Sequence, residues 1–115
     1  MSLDPELYFS DLIEEVHENA RNKGFWDQAR SVVDVIALCH SELSEVLEEF
    51  RNGKRPRDVS YRDDGKPEGI GPELADVVIR IMDYCGYAEI DLGKMIAIKN
   101  EYNKTRPWRH GGKRI

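Results

Sequence analysis

Apolar side chains recur every three or four residues along most of this chain, which is the spacing of amphipathic helices. The first such segment opens with Asp4 and Pro5, residues favoured at a helix N-terminus, and closes at Gly24, which suits a C-terminal cap. Phe25 and Trp26 then fall in a turn. The pattern predicts a first helix that ends before this aromatic pair.

A second helix is predicted from Ser31, where Asp34 approximates a capping box, to Asn52-Gly53. Its expected core-facing stripe consists of Val32, Val35, Ile36, Cys39, Leu43, Val46, Leu47 and Phe50.

A loop is predicted for residues 53–72, where glycine, proline and charged residues replace the apolar pattern. A third helix is expected over about residues 72–85, ending at Gly86, and a fourth between Asp91 and Pro107. No run alternates between apolar and polar residues for long enough to predict a strand. The third helix is apolar nearly all round, apart from one narrow charged stripe, which is typical of a buried helix.

Four helices with short connections and one long loop predict an all-α fold, a small four-helix bundle-like domain. Neither half of the chain could bury its apolar stripe alone, so residues 1–115 are interpreted as a single domain. Four short helices enclose a marginal core. We therefore expect the domain to form a homodimer or homotetramer.

Composition narrows the class of protein. The chain has 115 residues and a mass of 13.3 kDa, with 40% hydrophobic and 34% charged residues, which suits one globular domain. No apolar run is long enough to cross a bilayer, and the N-terminus does not resemble a signal peptide. Cys39 and Cys85 lie in apolar helical patterns and are expected to be reduced core thiols. A cytoplasmic protein without a membrane partner is expected.

The charge is unevenly distributed along the chain. Of the 17 basic residues, six lie between Lys99 and Ile115, together with one of the 22 acidic residues. The net charge of −5 therefore combines a strongly acidic body with a basic tail over about residues 104–115, preceded by Lys99.

Two pairs of acidic residues stand on neighbouring helices. Glu42 and Glu45 are three residues apart, as are Glu73 and Asp76, so each pair shares one helix face. If the helices pack together, four carboxylates meet, and their mutual repulsion calls for a cation. Carboxylate oxygens suit Mg²⁺, with Mn²⁺ able to substitute.

A simpler interpretation stays open beside this one. Glu42 and Glu45 would then form a solvated helix face, while Arg80, one turn after Asp76, would neutralise the acids of the third helix. His17 is expected at the surface.

The acid motifs Glu42-x-x-Glu45 and Glu73-Leu74-Ala75-Asp76-Val77-Val78, followed by the run from Lys99 to Lys113, resemble MazG-type all-α nucleoside triphosphate pyrophosphohydrolases. The resemblance covers roughly residues 30–113. It implies Mg²⁺-dependent hydrolysis of an NTP or dNTP to the monophosphate and pyrophosphate, by a helical dimer or dimer of dimers with active sites near subunit interfaces. Ser41 stands where the family often has a further acid, which leaves the number of metal ions open.

Roles for individual residues follow from this hypothesis. Glu42, Glu45, Glu73 and Asp76 would hold the metal, and Glu45 is the candidate general base. Four residues of the fourth helix and the tail would bind the phosphates: Lys99, Asn103, Arg106 and Lys113. Trp26 and Tyr102 are candidates for stacking on the nucleobase.

Two other functions remain open. One is hydrolysis of phosphoribosyl-ATP, which would use the same acids on one substrate. The other is a non-enzymatic helical module that binds nucleic acid through the basic tail. Repulsion between nucleic acid and the acidic body argues against this second alternative.

Overall fold

A computed structural model of the chain describes residues 5–108, with side chains from residue 7 onward. Four helices dominate it, as the periodicity predicts: α1 (Pro5–Asn22), α2 (Val32–Arg51), α3 (Ile70–Ala88) and α4 (Leu92–Lys104). Asp4, Lys113 and most of the basic tail lie outside the described residues. None of the helices in the described part of the chain is long and apolar enough to cross a membrane.

Helix α3 is the centre of the fold. It packs against α2 on one side and α1 on the other, while α4 packs mainly on α1. Among the described side chains, most of the buried apolar ones belong to α3, and the buried set is Ile13, Val35, Ile70, Val77, Met82 and Cys85. Helix α3 is therefore central, but one copy of the chain does not bury it all round as the sequence predicts, because Leu74, Val78, Ile79 and Ile81 are exposed.

The start of α2 is set by its predicted capping box. The Asp34 backbone N–H donates to Ser31 Oγ at 3.3 Å, and the Ser31 N–H donates to Asp34 Oδ2 at 2.9 Å. These two bonds satisfy donors that a helix N-terminus otherwise leaves free.

The loop prediction needs correction. Residues 60–61 and 67–68 form short strands β1 (Ser60–Tyr61) and β2 (Pro67–Glu68), which pair antiparallel with Ser60 opposite Glu68. Gly69 then precedes α3 with φ +138°, and a Cβ there would lie 2.4 Å from the Asp58 carbonyl oxygen. Only glycine fits this close approach, so it fixes where the hairpin meets α3.

Helix α3 is also longer than predicted, because it continues through Gly86 to Ala88. Gly86 lies where α1 crosses α3, and a Cβ at this position would be 2.7 Å from the Cβ of His17. Gly86 therefore allows α1 and α3 to approach closely, and it does not end α3. The left-handed residue that does end α3 is Glu89, with φ 57°.

His17 is not at the surface, contrary to expectation. Its Nδ1 lies 2.8 Å from Oδ1 of Asp83, a carboxylate that is only 4% exposed. The hydrogen bond joins α1 to α3 beside the Gly86 crossing. Cys39 and Cys85 are free thiols, as expected, and Cys85 is buried.

The apolar stripe of α2 is only half covered. Val35 is buried and Cys39 and Val46 are partly buried, but the other members stay exposed. Phe50, for example, is 65% exposed. A single copy of the chain therefore leaves much of its apolar surface in water.

Candidate functional site between helices α2 and α3

The four predicted metal ligands lie on the two helices that pack most extensively against each other. Glu42 and Glu45 belong to α2, and Glu73 and Asp76 belong to α3. Glu73 is buried, with 9% of its surface exposed, and Glu42 is partly buried, whereas Glu45 and Asp76 are exposed. Two carboxylates thus lie inside the helix pair and two at its edge.

These carboxylates affect one another electrostatically. Burial is the largest cause that raises the pKa of Glu73, and the charges of Asp76 and Glu45 raise it further. Burial also raises the pKa of Asp76, with Glu42 as the next largest cause. Each α3 acid is therefore influenced by acids of α2, as the helical spacing predicts. The cluster carries an excess of negative charge that favours a cation.

Arg80 partly compensates this charge, but with a partner that the sequence did not indicate. Its Nε and Nη2 donate to Oε1 of Glu42 at 2.9 and 2.5 Å. The interpretation in which Arg80 neutralises the acids of α3 is therefore incomplete, because both of these hydrogen bonds go to Glu42 on α2. Its charge still lowers the pKa of Asp76.

The second oxygen of Glu42 is buried, and within residues 5–108 it makes no hydrogen bond. A buried unsatisfied carboxylate oxygen is costly, and a cation is one of the groups that would relieve it. All donors in the cluster are carboxylate oxygens, which suits Mg²⁺. In residues 5–108, however, no group of three or more acidic, histidine or cysteine side chains is gathered closely enough to hold a metal ion.

A cavity of about 340 Å³ opens beside the cluster, within the size range of small-molecule sites. Its lining joins acids of both helices to an aromatic wall: Ala20, Phe25, Glu42, Asp76, Ile79, Arg80 and Asp83. The guanidinium of Arg80 lies 5.1 Å from the ring centre of Phe25, on the same side of the site. Acidic and basic groups thus line the same open cavity.

Trp26, a predicted stacking residue, forms part of the structure behind this wall. Its Nε1 donates to Asp83 Oδ1 at 2.8 Å, and its ring stacks on Tyr87 with centres 4.1 Å apart. One face of the indole is therefore already used. Whether Trp26 also contacts a base stays a prediction.

The predicted phosphate-binding residues lie elsewhere on the chain. Lys99 and Asn103 line a second cavity along α4, and none of the four cluster acids lines it. Arg106 lies just beyond the end of α4, and Lys113 is outside the described residues. Tyr102 is exposed, with Lys99 Nζ 5.6 Å from its ring centre. Among the described residues, Lys99 and Asn103 therefore share no cavity with the four acids.

Lys66 was not singled out from the sequence. It follows Gly65 at the turn of the β1–β2 hairpin, and its charge lowers the pKa of both Glu73 and Asp76. The Gly65-Lys66-Pro67 turn sequence was the available signal, but it does not reveal which helix the hairpin lies against.

Comparison of the chain with protein-family models, with curated proteins and with solved structures found no match.

Proposed function

We propose that the chain is a divalent-cation-dependent nucleoside triphosphate pyrophosphohydrolase that releases pyrophosphate and a nucleoside monophosphate. The observation that supports this proposal is that Glu42 of α2 and Asp76 of α3 line one cavity, and that a buried Glu42 oxygen has no hydrogen-bond partner among residues 5–108. Helices that pack only for stability rarely bury an unsatisfied carboxylate oxygen.

Glu42, Glu45, Glu73 and Asp76 are the residues that would hold Mg²⁺. When bound, the cation supplies neutralisation of the phosphate charge and activation of a water molecule. The protein contributes positioning and electrostatic stabilisation, because phosphoryl transfer requires little covalent chemistry from its side chains. The water oxygen forms a bond to the α-phosphorus while the bond to the bridging oxygen of pyrophosphate breaks, and Glu45 takes the water proton.

The phosphate contacts are assigned to Lys99, Asn103, Arg106 and Lys113. Since α4 packs on α1 and its cavity is separate from the acids, the proposal requires a second copy of the chain to supply them. The exposed apolar stripe of α2 is the surface that such a copy would cover. The base would be held by aromatic side chains, with Trp26 and Tyr102 as candidates.

The test is pyrophosphate release by the full chain with Mg²⁺, across ribonucleotides, deoxynucleotides, damaged nucleotides and phosphoribosyl-ATP. Glu45→Gln and Asp76→Asn should each lower the rate by about 100-fold or more, the usual scale for a lost base or charge clamp. Circular dichroism should show unchanged helix content.

Glu48→Gln is the matched control, because Glu48 is an exposed acid on the same helix that pairs with Arg51. It should keep full activity. Full activity in Glu45→Gln or Asp76→Asn would remove the assigned site. Turnover of phosphoribosyl-ATP alone would select the narrower hydrolase, and no turnover of any nucleotide would refute the proposal.

A further inference from the structure

Asp83 is a buried acid for which the proposed reaction has no role. It is only 4% exposed, yet it lines the same cavity as Glu42 and Asp76. Its Oδ1 accepts a hydrogen bond from Trp26 Nε1 at 2.8 Å, and His17 Nδ1 lies 2.8 Å from the same oxygen. Burial of a carboxylate is costly unless hydrogen bonds replace the water that it loses. Asp83 therefore depends on partners from α1 and from the turn that follows α1.

The turn between α1 and α2 carries the aromatic wall of the cavity. Phe25 lines the cavity, and its ring meets that of Trp26 edge to face, with centres 5.2 Å apart. The backbone of the turn is held from the α1 side, since the Phe25 N–H donates to the Ala20 carbonyl oxygen at 3.1 Å. This bond fixes the turn on α1, but it does not connect the turn to α3.

The side chain of Trp26 makes the connection to α3. Its N–H bonds to Asp83, and its ring stacks on Tyr87, one turn further along α3, with planes only 4° apart. A hydrogen bond and a stacked ring together fix both the distance and the orientation of an indole. Because Phe25 precedes Trp26 and its ring packs against the indole, the position of Phe25 in the cavity wall depends on the same contacts.

We propose that Asp83 is a positioning residue, which through Trp26 holds Phe25 in place as a wall of the site that binds the nucleotide. The inference rests on the proposed function and concerns the affinity for the nucleotide, not the chemical step. Ala20, Phe25 and Ile79 give one part of the cavity an apolar lining, which suits the ring system of a nucleobase. Loss of the bond between Asp83 and Trp26 should therefore weaken ground-state and transition-state binding alike.

The first measurement is steady-state pyrophosphate release with the nucleoside triphosphate that the wild-type chain hydrolyses fastest. Asp83→Ala should raise KM by about tenfold and leave kcat within about twofold, because a displaced wall removes binding that the substrate and the transition state share. Asp83→Asn keeps an oxygen that can accept the indole N–H, so it should recover most of the affinity. Asp27→Asn is the matched control, because Asp27 is an exposed acid of the same turn, and it should leave KM unchanged.

A mutant cycle tests whether Asp83 acts through Trp26 or contacts the nucleotide itself. Trp26→Phe removes the N–H and keeps an aromatic ring. If the two residues act through one hydrogen bond, Trp26→Phe should raise KM, and the double variant with Asp83→Ala should bind no worse than the weaker single variant. Additive effects on KM would mean that the two residues act independently, and they would overturn the proposal.

The second measurement follows the indole directly. Trp108→Phe leaves Trp26 as the only tryptophan of the chain. In this background Asp83→Ala should shift the emission of Trp26 to longer wavelength and increase its quenching by acrylamide, because the released indole gains contact with water. If Asp83→Ala does not fold, Tyr87→Leu replaces it in both measurements. That variant removes the ring on which Trp26 stacks and leaves the residues that line the cavity unchanged.

Two results would overturn the positioning role while the proposed function stands. One is a folded Asp83→Ala variant with wild-type KM and a lower denaturant midpoint, since Asp83 would then only stabilise the domain. The other is a loss of kcat at unchanged KM. A wild-type chain that releases no pyrophosphate from any nucleotide would refute the proposed function, and the positioning role with it.

Discussion

Glu73 is a buried acid among other acids, and its protonation therefore affects the stability of the whole domain. Burial raises its pKa above the ordinary value of 4.5, with Asp76 and Glu45 as further causes. An acid whose pKa is raised on folding binds its proton more tightly in the folded state. It costs no stability below its ordinary pKa, and it lowers stability as the pH rises through and above that value.

Replacing Glu73 by Gln should therefore raise the free energy of unfolding of the metal-free protein at neutral pH, because the amide carries no charge to bury. Urea denaturation between pH 4 and pH 8 measures this effect. The difference from wild type should be small at pH 4 and should grow as the pH rises. Addition of Mg²⁺ should stabilise wild type more than the variant, because the variant has lost one proposed ligand.

Glu68→Gln is a suitable control, because Glu68 is an acid near the start of α3 that lies beside Arg62 rather than in the cluster. It should not show the same rise with pH. A Glu73→Gln variant that is less stable than wild type at pH 8 without Mg²⁺ would contradict the interpretation.

The sequence was least informative about which side chains contact each other. The helical period predicted that each acid pair shares one face of its own helix, because a face depends only on the 3.6-residue period. It could not show that Arg80 reaches Glu42 or that Asp83 binds His17, because these contacts depend on how two helices cross. The sequence contains all four of these residues, but it does not show which of them form hydrogen bonds with each other.

At the scale of elements, the crossing of α1 and α3 at Gly86 limits what this part of the chain tolerates. Alanine is the better helix former by about 1 kcal/mol, but its Cβ at this position would contact the Cβ and Cγ of His17. His17 cannot move away easily, since Asp83 holds its ring. The steric cost of an added Cβ at Gly86 should therefore exceed the gain in helix propensity.

Gly86→Ala should destabilise the domain by about 1–3 kcal/mol, the usual cost of overpacking a tight contact. Gly71→Ala is the matched control in the same helix, because a Cβ there would have no neighbour within 4 Å. It should be neutral or stabilising, by up to about 1 kcal/mol. Denaturant midpoints measure both, and equal effects of the two substitutions would refute the packing argument.

Some helix and strand boundaries depend only on residues close in the sequence, and others depend on contacts with another element. The start of α2 was predictable, because its capping box lies entirely within Ser31–Asp34. The end of α3 was not, because Gly86 has the appearance of a cap until α1 is placed beside it. The hairpin was missed since strands of two residues are too short to establish an alternating pattern.

At the scale of the whole molecule, the core is small relative to the apolar surface. Ile36, Leu43, Leu47 and Phe50 repeat at helical spacing along α2 and are all exposed. Large contiguous apolar patches on folded proteins mark interaction surfaces. The all-α class was predictable from periodicity, but which half of each stripe faces the same chain could not be read from one helix at a time.

We expect the protein to form a homo-oligomer through this face, with a mass of at least about twice 13.3 kDa in solution. Leu47→Glu should shift it toward the monomer, because Leu47 is 54% exposed in one copy and a buried charge there would be unpaired. Light scattering after size-exclusion chromatography measures the mass.

Glu48→Lys changes the charge of the neighbouring exposed residue and should leave the mass unchanged. A monomeric wild-type chain at micromolar concentration would contradict the expectation. It would also leave Lys99 and Asn103 without a route to the acids of α2 and α3.

The stacking of Trp26 on Tyr87 has an optical consequence. The chain contains two tryptophans, of which Trp108 is 81% exposed, while Trp26 is partly buried and bonded to the Asp83 carboxylate. Their indoles therefore experience different polarity, so their emission spectra should be separable. Trp26 contacts Phe25 and Asp83, and both of these residues line the cavity. A molecule bound in the cavity should therefore change the fluorescence of Trp26.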